Sequence, residues 1–254
     1  MATLITGASS GLGAALARAC AAPGAVLHLG GRDAPRLAAV AADCRARGAR
    51  VTESVQDVTD PAAMAAWVQG CGDIRLAICN AGISAGTGTA TEPPEQARAV
   101  FATNVTGVLN TALPAIAAMA EQAPGPDGLR GRVAVVASLA AFVALPGAPA
   151  YGASKAAVQR WAEATDATER RRGIRLHAIC PGYVRTPMTA RNPFPMPLLM
   201  EPDDAARRIL RGIGQGRLRV AFPWPLYLGA RLAGALPPAW RNHLFSRLPA
   251  KPAG

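Results

Sequence analysis

Short apolar runs alternate with longer stretches of helical periodicity along most of this chain. Ala2–Thr6, Ala25–Leu29, Val51–Val55, Leu76–Cys79 and Arg132–Ala137 are brief and rich in β-branched or leucine side chains, and each ends at glycine, asparagine, aspartate, glutamine or serine. That pattern predicts buried strands with turns at their carboxyl ends. Between them lie helical patterns over Ala14–Ala21, from Asp33 to about Arg47, from Pro61, over Ala97–Glu121 with an interruption at Pro114, and from about Ala150. Asp33 and Asp60 stand where an N-cap is needed, and Pro61 occupies the first helical position. The segment 122–131, rich in Pro and Gly, reads as a surface loop. Strand and helix in strict alternation predict an α/β fold: a single-domain, Rossmann-like, doubly wound parallel sheet of about seven strands with helices on both faces. In such a sheet a ligand lies at the carboxyl ends of the strands.

Those ends carry the polar residues. After the first strand comes Gly7-Ala8-Ser9-Ser10-Gly11-Leu12-Gly13, where glycines let the backbone turn tightly and the free N–H groups of a helix start favour a pyrophosphate. After the second come Gly30, Gly31 and Arg32. An acidic residue there would bind a ribose 2′-hydroxyl, whereas an arginine accommodates a 2′-phosphate, so Arg32 favours NADP(H) over NAD(H), with Ser9 or Ser10 as further phosphate contacts. The competing readings are a solvated arginine at the strand tip and a role for Asp33 beyond its cap. Asp57, Asn80 and Ser138 stand at the ends of the next three strands, so residues scattered in sequence converge on one crevice.

The chemistry is expected from Tyr151 and Lys155. Four residues apart on a helix they share a face. A free phenol titrates near ~10, and an ammonium beside it favours the phenolate by roughly 1–3 units. Only Lys155 and Lys251 among the 27 basic residues are lysines, so the composition would by default have placed arginine at 155. Asn104 sits among Val100, Phe101, Val105, Val108 and Leu109, where a polar side chain needs a partner.

Taken together, Thr6-Gly7-x-x-x-Gly11-x-Gly13, Asp57-Val58-Thr59, Asn80-Ala81-Gly82, Asn104, Ser138, Tyr151-x-x-x-Lys155 and Pro181-Gly182 stand in an order and spacing that resembles the short-chain dehydrogenase/reductase family, in its common type about as long as this chain. The resemblance spans about residues 2–222. It implies that Ser138 hydrogen-bonds a substrate oxygen and that Tyr151 exchanges its proton. It also implies that Lys155 lowers the phenol's pKa and binds the nicotinamide ribose, and that Asn104 bends its helix and holds a water behind Lys155. For the cofactor it implies that Asp57 and Val58 hold the adenine, that Asn80 with Ala81 and Gly82 supports the crevice, and that Thr186 meets the nicotinamide amide. Leu12, Pro181, Gly182 and Val184 complete the implied cofactor set. The segment Pro187–Pro202, with Met188, Phe194, Met196, Leu198, Leu199 and Met200, would form a lid. Its apolar content, with Phe142 and Leu145, suggests a hydrophobic carbonyl or alcohol substrate. An NADP(H)-dependent oxidoreductase is therefore expected, and a non-catalytic NADP(H)-binding sensor or scaffold is the alternative.

Composition adds bounds. At 254 residues, half hydrophobic and 17% charged, the chain can bury one full core. Its five cysteines show no Cys-x-x-Cys spacing and read as reduced packing residues, with no metal expected. No run of eighteen uninterrupted apolar residues occurs and no charged segment precedes an apolar stretch at the start, so a cytoplasmic protein is expected. The net charge is +11, and after Asp204 no acid follows while nine basic residues do. Arg207, Arg208, Arg211, Arg217, Arg219, Arg231, Arg241, Arg247 and Lys251 could keep the surface soluble or meet an anionic partner. No nucleic-acid recognition motif accompanies them. Residues 223–254 look like an extension beyond the family's usual ending, basic and apolar by turns. Packing on the domain or on a second subunit of a homodimer or homotetramer is favoured over a peripheral membrane contact, because Gly229, Gly234, Pro237 and Pro238 break any long helix.

Overall fold

The computed structural model describes residues 2–87, 91–144 and 146–245. Leu145, Arg247, Leu248 and Lys251 lie outside the described residues, as do the side chains of Arg241, Leu244 and Phe245.

Seven parallel strands form one sheet. They are β1 (Ala2–Thr6), β2 (Val26–Gly31), β3 (Arg50–Val55), β4 (Leu76–Cys79), β5 (Gly131–Val136), β6 (Ile174–Pro181) and β7 (Arg219–Phe222), in the order β3-β2-β1-β4-β5-β6-β7. The chain reverses direction across the sheet between β1 and β4, which register Thr3 against Leu76 and Ile5 against Ile78. Because successive strand residues point to opposite faces, Ile5, Leu76, Ile78 and Ala134 enter one core and Leu4, Ala77, Cys79 and Val133 the other. The first core is closed by α1 (Gly11–Cys20), α2 (Ala34–Ala46) and α7 (Pro202–Gly214). The second is closed by α3 (Pro61–Gln69), α5 (Gly107–Glu121) and α6 (Pro149–Glu169). This is the doubly wound architecture expected from the alternation.

The caps are as read. The Asp33 carboxylate accepts from Arg36 N at 3.0 Å, and that of Asp60 accepts from Ala62 N and Ala63 N at 3.0 Å each. Several boundaries differ: β2 runs on to Gly31 rather than ending at Leu29, and β5 ends at Val136 rather than Ala137. The first helix begins at Gly11 rather than Ala14, because Gly7 (φ +64°) and Gly11 (φ +53°) make the turn in so few residues that Gly13 already lies in the first helical turn. The long apolar stretch is broken at Asn104 rather than at Pro114. It comprises α4 (Pro94–Phe101), a π-helical turn (Ala102–Thr106) and α5, which continues through Pro114. The reason is that Asn104 spends its side chain outside its own helix, and one extra residue per turn accommodates that. Residues 94–121 are long and apolar enough to cross a bilayer by length and composition. Here Val108, Ala112, Ala115, Ile116 and Met119 are buried in the second core, as in a core helix of a sheet protein.

After β7 the chain forms α8 (Trp224–Ala235) and α9 (Pro238–Phe245). The inner side of α8 packs over the 3-10 turn Leu139–Phe142 that follows Ser138, and Tyr227 meets the Phe142 ring edge-on at 5.1 Å. The approach is close: a Cβ on Gly234 would stand 1.8 Å from the Phe142 carbonyl oxygen.

Candidate active site

The site is assembled from the strand ends inward. Asn80, just past β4, donates from Nδ2 to the carbonyls of Thr6 (3.1 Å) and Gly7 (3.2 Å), while Thr6 Oγ1 accepts from the N–H groups of Asn80 and Ala81. The ends of β1 and β4 are thereby laced together and the glycine turn is held in place. Side chains are excluded there on steric grounds, since a Cβ on Gly13 would stand 2.1 Å from the Gly7 oxygen and one on Gly7 would stand 2.9 Å from Ala81 Cα.

Deeper in, Asn104 is fully buried in the π turn. Its Oδ1 accepts from Ile83 N (2.8 Å), and its Nδ2 donates to Ile83 O (2.9 Å) and Ser154 Oγ (3.0 Å). Ser154 in turn donates to the Tyr151 carbonyl at 2.8 Å. The amide therefore clamps the turn after β4 to the helix that carries Tyr151. Lys155 emerges from the same helix, buried, with Nζ donating to the Val136 carbonyl at 2.8 Å and lying 5.9 Å from the centre of the Tyr151 ring. Gly82 separates Lys155 from Asn104, and a Cβ there would press on both.

Electrostatics revise one expectation. Lys155 was expected to lower the phenol's pKa. In this structure burial raises the Tyr151 hydroxyl above its ordinary value, opposed by a hydrogen bond with Ser138 and reinforced by Tyr183. Burial also pulls the Lys155 ammonium down to about 8. Removing a group from water disfavours its charged form, so both shifts run toward the neutral species. Ser138 stands beside the phenol, hydrogen-bonded to it. Ser138 Oγ also accepts from Ala140 N at 3.1 Å, which orients the hydroxyl at the end of β5.

At the other end, Arg32 is two-thirds exposed and stands 4.0 Å from the Asp57 carboxylate. Asp57 is oriented by Thr59, which donates from N (2.9 Å) and Oγ1 (2.8 Å), and those bonds with Arg32 hold its carboxyl below the usual range against a smaller cost of burial. Asp33 is committed to its cap and to an ion pair with Arg36 at 2.8 Å. Arg36 was missed by the sequence reading, although its place one helical turn beyond Arg32 could have shown it.

One cleft of about 430 Å³ joins the two ends. Gly7, Ser9, Ser10, Gly11, Leu12, Gly13, Arg32, Asp57, Val58, Asn80, Ala81, Gly82, Tyr151, Lys155, Pro181, Gly182, Val184 and Thr186 all line it. Asn104 and Ser138 stand just behind that lining. Met188, expected in the lid segment, lines it too, and Gln56, Trp67, Ile83 and Thr103 line it without having been anticipated. Opposite the glycine turn, Thr186 Cγ2 approaches to 3.0 Å from where a Cβ on Gly11 would lie. The segment that follows returns at Met200, whose N–H donates to Tyr183 O (3.0 Å) and whose carbonyl accepts from Arg185 N (2.9 Å). Phe194 on that segment meets Tyr183 edge-on at 6.3 Å.

A model of the short chain dehydrogenase family matches residues 1–194. The chain belongs to that family. This short-chain dehydrogenase is 37% identical over 249 residues to an uncharacterized oxidoreductase of Myxococcus xanthus, covering 95% of this chain and 93% of the relative. It is 38% identical to the granaticin polyketide synthase putative ketoacyl reductase 1 of Streptomyces violaceoruber, over 74% of this chain and 69% of the relative. Among solved structures, a Sphingobium yanoikuyae short-chain dehydrogenase in complex with NADPH superposes with TM-score 0.79 at 28% identity, covering 100% of this chain and 98% of that one. One from Mycobacterium paratuberculosis bound to NAD gives 0.74 at 26%, covering 82% and 89%. The short-chain dehydrogenase is thus an oxidoreductase acting on CH–OH or C=O groups.

Proposed function

We propose that this chain reduces the carbonyl group of an apolar small molecule with NADPH. The observation that carries this reading is the placement of Tyr151, with its hydroxyl hydrogen-bonded to Ser138, in one cleft with Lys155, the glycine turn and Arg32.

The residues fit a dinucleotide. The cleft runs from Arg32 and Asp57 past the first turn of α1, whose N–H groups have no partner within the helix, to Lys155 and Thr186. Bound there, the nicotinamide would supply the hydride. The chain's own residues do the rest. Ser138 Oγ and Tyr151 Oη would hold the substrate oxygen, and Tyr151 would give it a proton, which its raised pKa keeps available at neutral pH. The phenolate left behind is in a buried site where Lys155, near 8, is suited to return a proton. Relatives described as ketoacyl reductases support the reductive direction. Tyr183, Phe194 and Met188 at the substrate end support an apolar substrate.

Arg32 and Arg36 support the phosphate-bearing cofactor, as does the Sphingobium complex with NADPH, whereas the NAD-bound neighbour leaves the choice to these residues. Arg32→Ala is expected to lower kcat/KM for NADPH about tenfold, the effect of one exposed charge-assisted contact, and to leave NADH little changed. Steady-state kinetics on a panel of lipophilic ketones with both cofactors reads this, and equal losses with NADPH and NADH would refute the assignment. The five unpaired cysteines support residence in a reducing compartment such as the cytoplasm. Exposed Phe101 and Leu113 support the homo-oligomer, which sedimentation velocity would show as a species heavier than one 26.0 kDa chain.

A further inference from the structure

The outer side of α8 is apolar and uncovered. Trp224, Leu228 and Leu232, spaced four residues apart on one helical stripe, are 71%, 48% and 63% exposed, and Trp240 on α9 is 70% exposed. Trp224, Trp240 and Leu232 have the three highest exposures of large apolar side chains among the described residues, gathered on two consecutive helices. The helix is not loosely placed. Its other side is fixed by Tyr227 on Phe142, by Leu226 beside Gly182, and by Arg219, which bonds both the Tyr227 hydroxyl (2.8 Å) and the Glu163 carboxylate. A rigid platform therefore presents tryptophan and leucine outward, where internal packing leaves them without a use.

We propose that this face seats on a lipid bilayer carrying anionic headgroups. Charge complementarity selects that occupant. From Phe222 to Gly254 the sequence has four basic residues (Arg231, Arg241, Arg247 and Lys251) and no acid, so the segment carries four positive charges. Two copies placed face to face would oppose those charges, whereas an anionic surface attracts them. Arg231 sits at the edge of the stripe, its guanidinium over the Tyr227 ring, where a headgroup phosphate would meet it as the apolar side chains enter the acyl boundary. Tryptophan suits that boundary because its ring is apolar and its N–H is a donor. The inference does not depend on the substrate or on turnover. It also sets the platform against the Leu139–Phe142 turn, so the membrane side and the Ser138 end of the cleft adjoin.

The test is flotation of the full chain with vesicles of phosphatidylcholine alone and of phosphatidylcholine mixed with phosphatidylglycerol. The protein is expected to float with the mixed vesicles, less so as salt is raised. The triple variant Trp224→Ser, Leu228→Ser, Leu232→Ser is expected to partition about tenfold more weakly, having lost the apolar part of the contact. NADPH binding by fluorescence reports whether the variant is folded. If it is not, quenching of the wild-type tryptophans by brominated lipid in mixed vesicles decides instead. Absence of flotation or quenching in the wild type overturns the proposal, as does equal partitioning by a folded triple variant. A wild-type oligomer that the triple variant alone dissociates would assign the face to a second copy and overturn it too.

Discussion

Tyr151→Phe is expected to lower kcat by roughly 10²–10⁴-fold, the range spanned by loss of a general acid, while NADPH affinity is largely retained. The substitution removes one hydroxyl and keeps the ring. Its hydroxyl is the group hydrogen-bonded with Ser138, whereas Lys155 is anchored independently on the Val136 carbonyl at 2.8 Å and the glycine turn is laced to β4 through Asn80. Cofactor binding and proton donation are therefore separable here. Fluorescence titration with NADPH and single-turnover reduction of a lipophilic ketone read the two quantities on the same sample. A variant that turns over at the wild-type rate would sink Tyr151 as the proton donor, and one that no longer binds NADPH would show that the hydroxyl is structural. Because burial raises the phenol, the wild-type reductive rate should hold through neutral pH and fall only on the alkaline side, where the proton is lost.

How far the site could be read in advance depended on whether its geometry was local. The glycine turn, the caps at Asp33 and Asp60, and the strand ends follow from spacing within a few residues; the turn and caps stand where the pattern placed them, and the five strand ends fall within two residues of it. Tyr151 and Lys155 share a helix, so their pairing was legible. The direction of the Lys155 ammonium was not, because its partner is the carbonyl of Val136, 19 residues away and in a different layer. The same holds for Asn104, whose need for a partner was evident but whose partners, Ile83 and Ser154, come from two other segments 21 and 50 residues distant. The extension shows the limit most plainly. Its breakers, Gly229, Gly234, Pro237 and Pro238, argued against a long helix, and the segment is two short ones parted before Pro238; Gly229 and Gly234 themselves lie inside α8, where only a missing side chain at Gly234 lets the helix reach the Phe142 carbonyl. Nothing local announces the ion pair of Arg219 with Glu163, 56 residues away, that ties β7 and α8 to the helix of Tyr151 and Lys155.

Burial of cysteine leads to the second large effect, a steep loss of stability in alkali. Cys20, Cys79 and Cys180 are pushed up from 9.0 to about 12, each chiefly by burial. Above pH 9 the unfolded chain releases these three protons and the folded chain keeps them, so stability present below pH 9 is lost as pH rises toward 12. Lys155 acts in the opposite sense. Its folded value of about 8 lies below the ordinary 10.5, so between those values the unfolded chain holds one proton that the folded chain has released, and stability from this group rises with pH. Those three thiols against Lys155 leave about two net protons, or roughly 3 kcal/mol lost per pH unit near pH 10, and Cys71, pushed up to about 11, and Cys44, also raised by burial, add to the loss. That is a large share of a typical ~5–15 kcal/mol. Urea unfolding of the reduced protein at pH 8.5 and pH 10, about 1.5 units apart and bracketing the unfolded thiol titration, should show a lower midpoint and a smaller unfolding free energy at the higher pH. Cys79→Val should flatten the slope by about 1.4 kcal/mol per unit, and Lys155→Met should steepen it by a similar amount, since each removes one titrating proton. A midpoint that stays level over this range would mean that water reaches the thiols, and that the two cores are less closed around Cys20, Cys79 and Cys180 than their burial indicates.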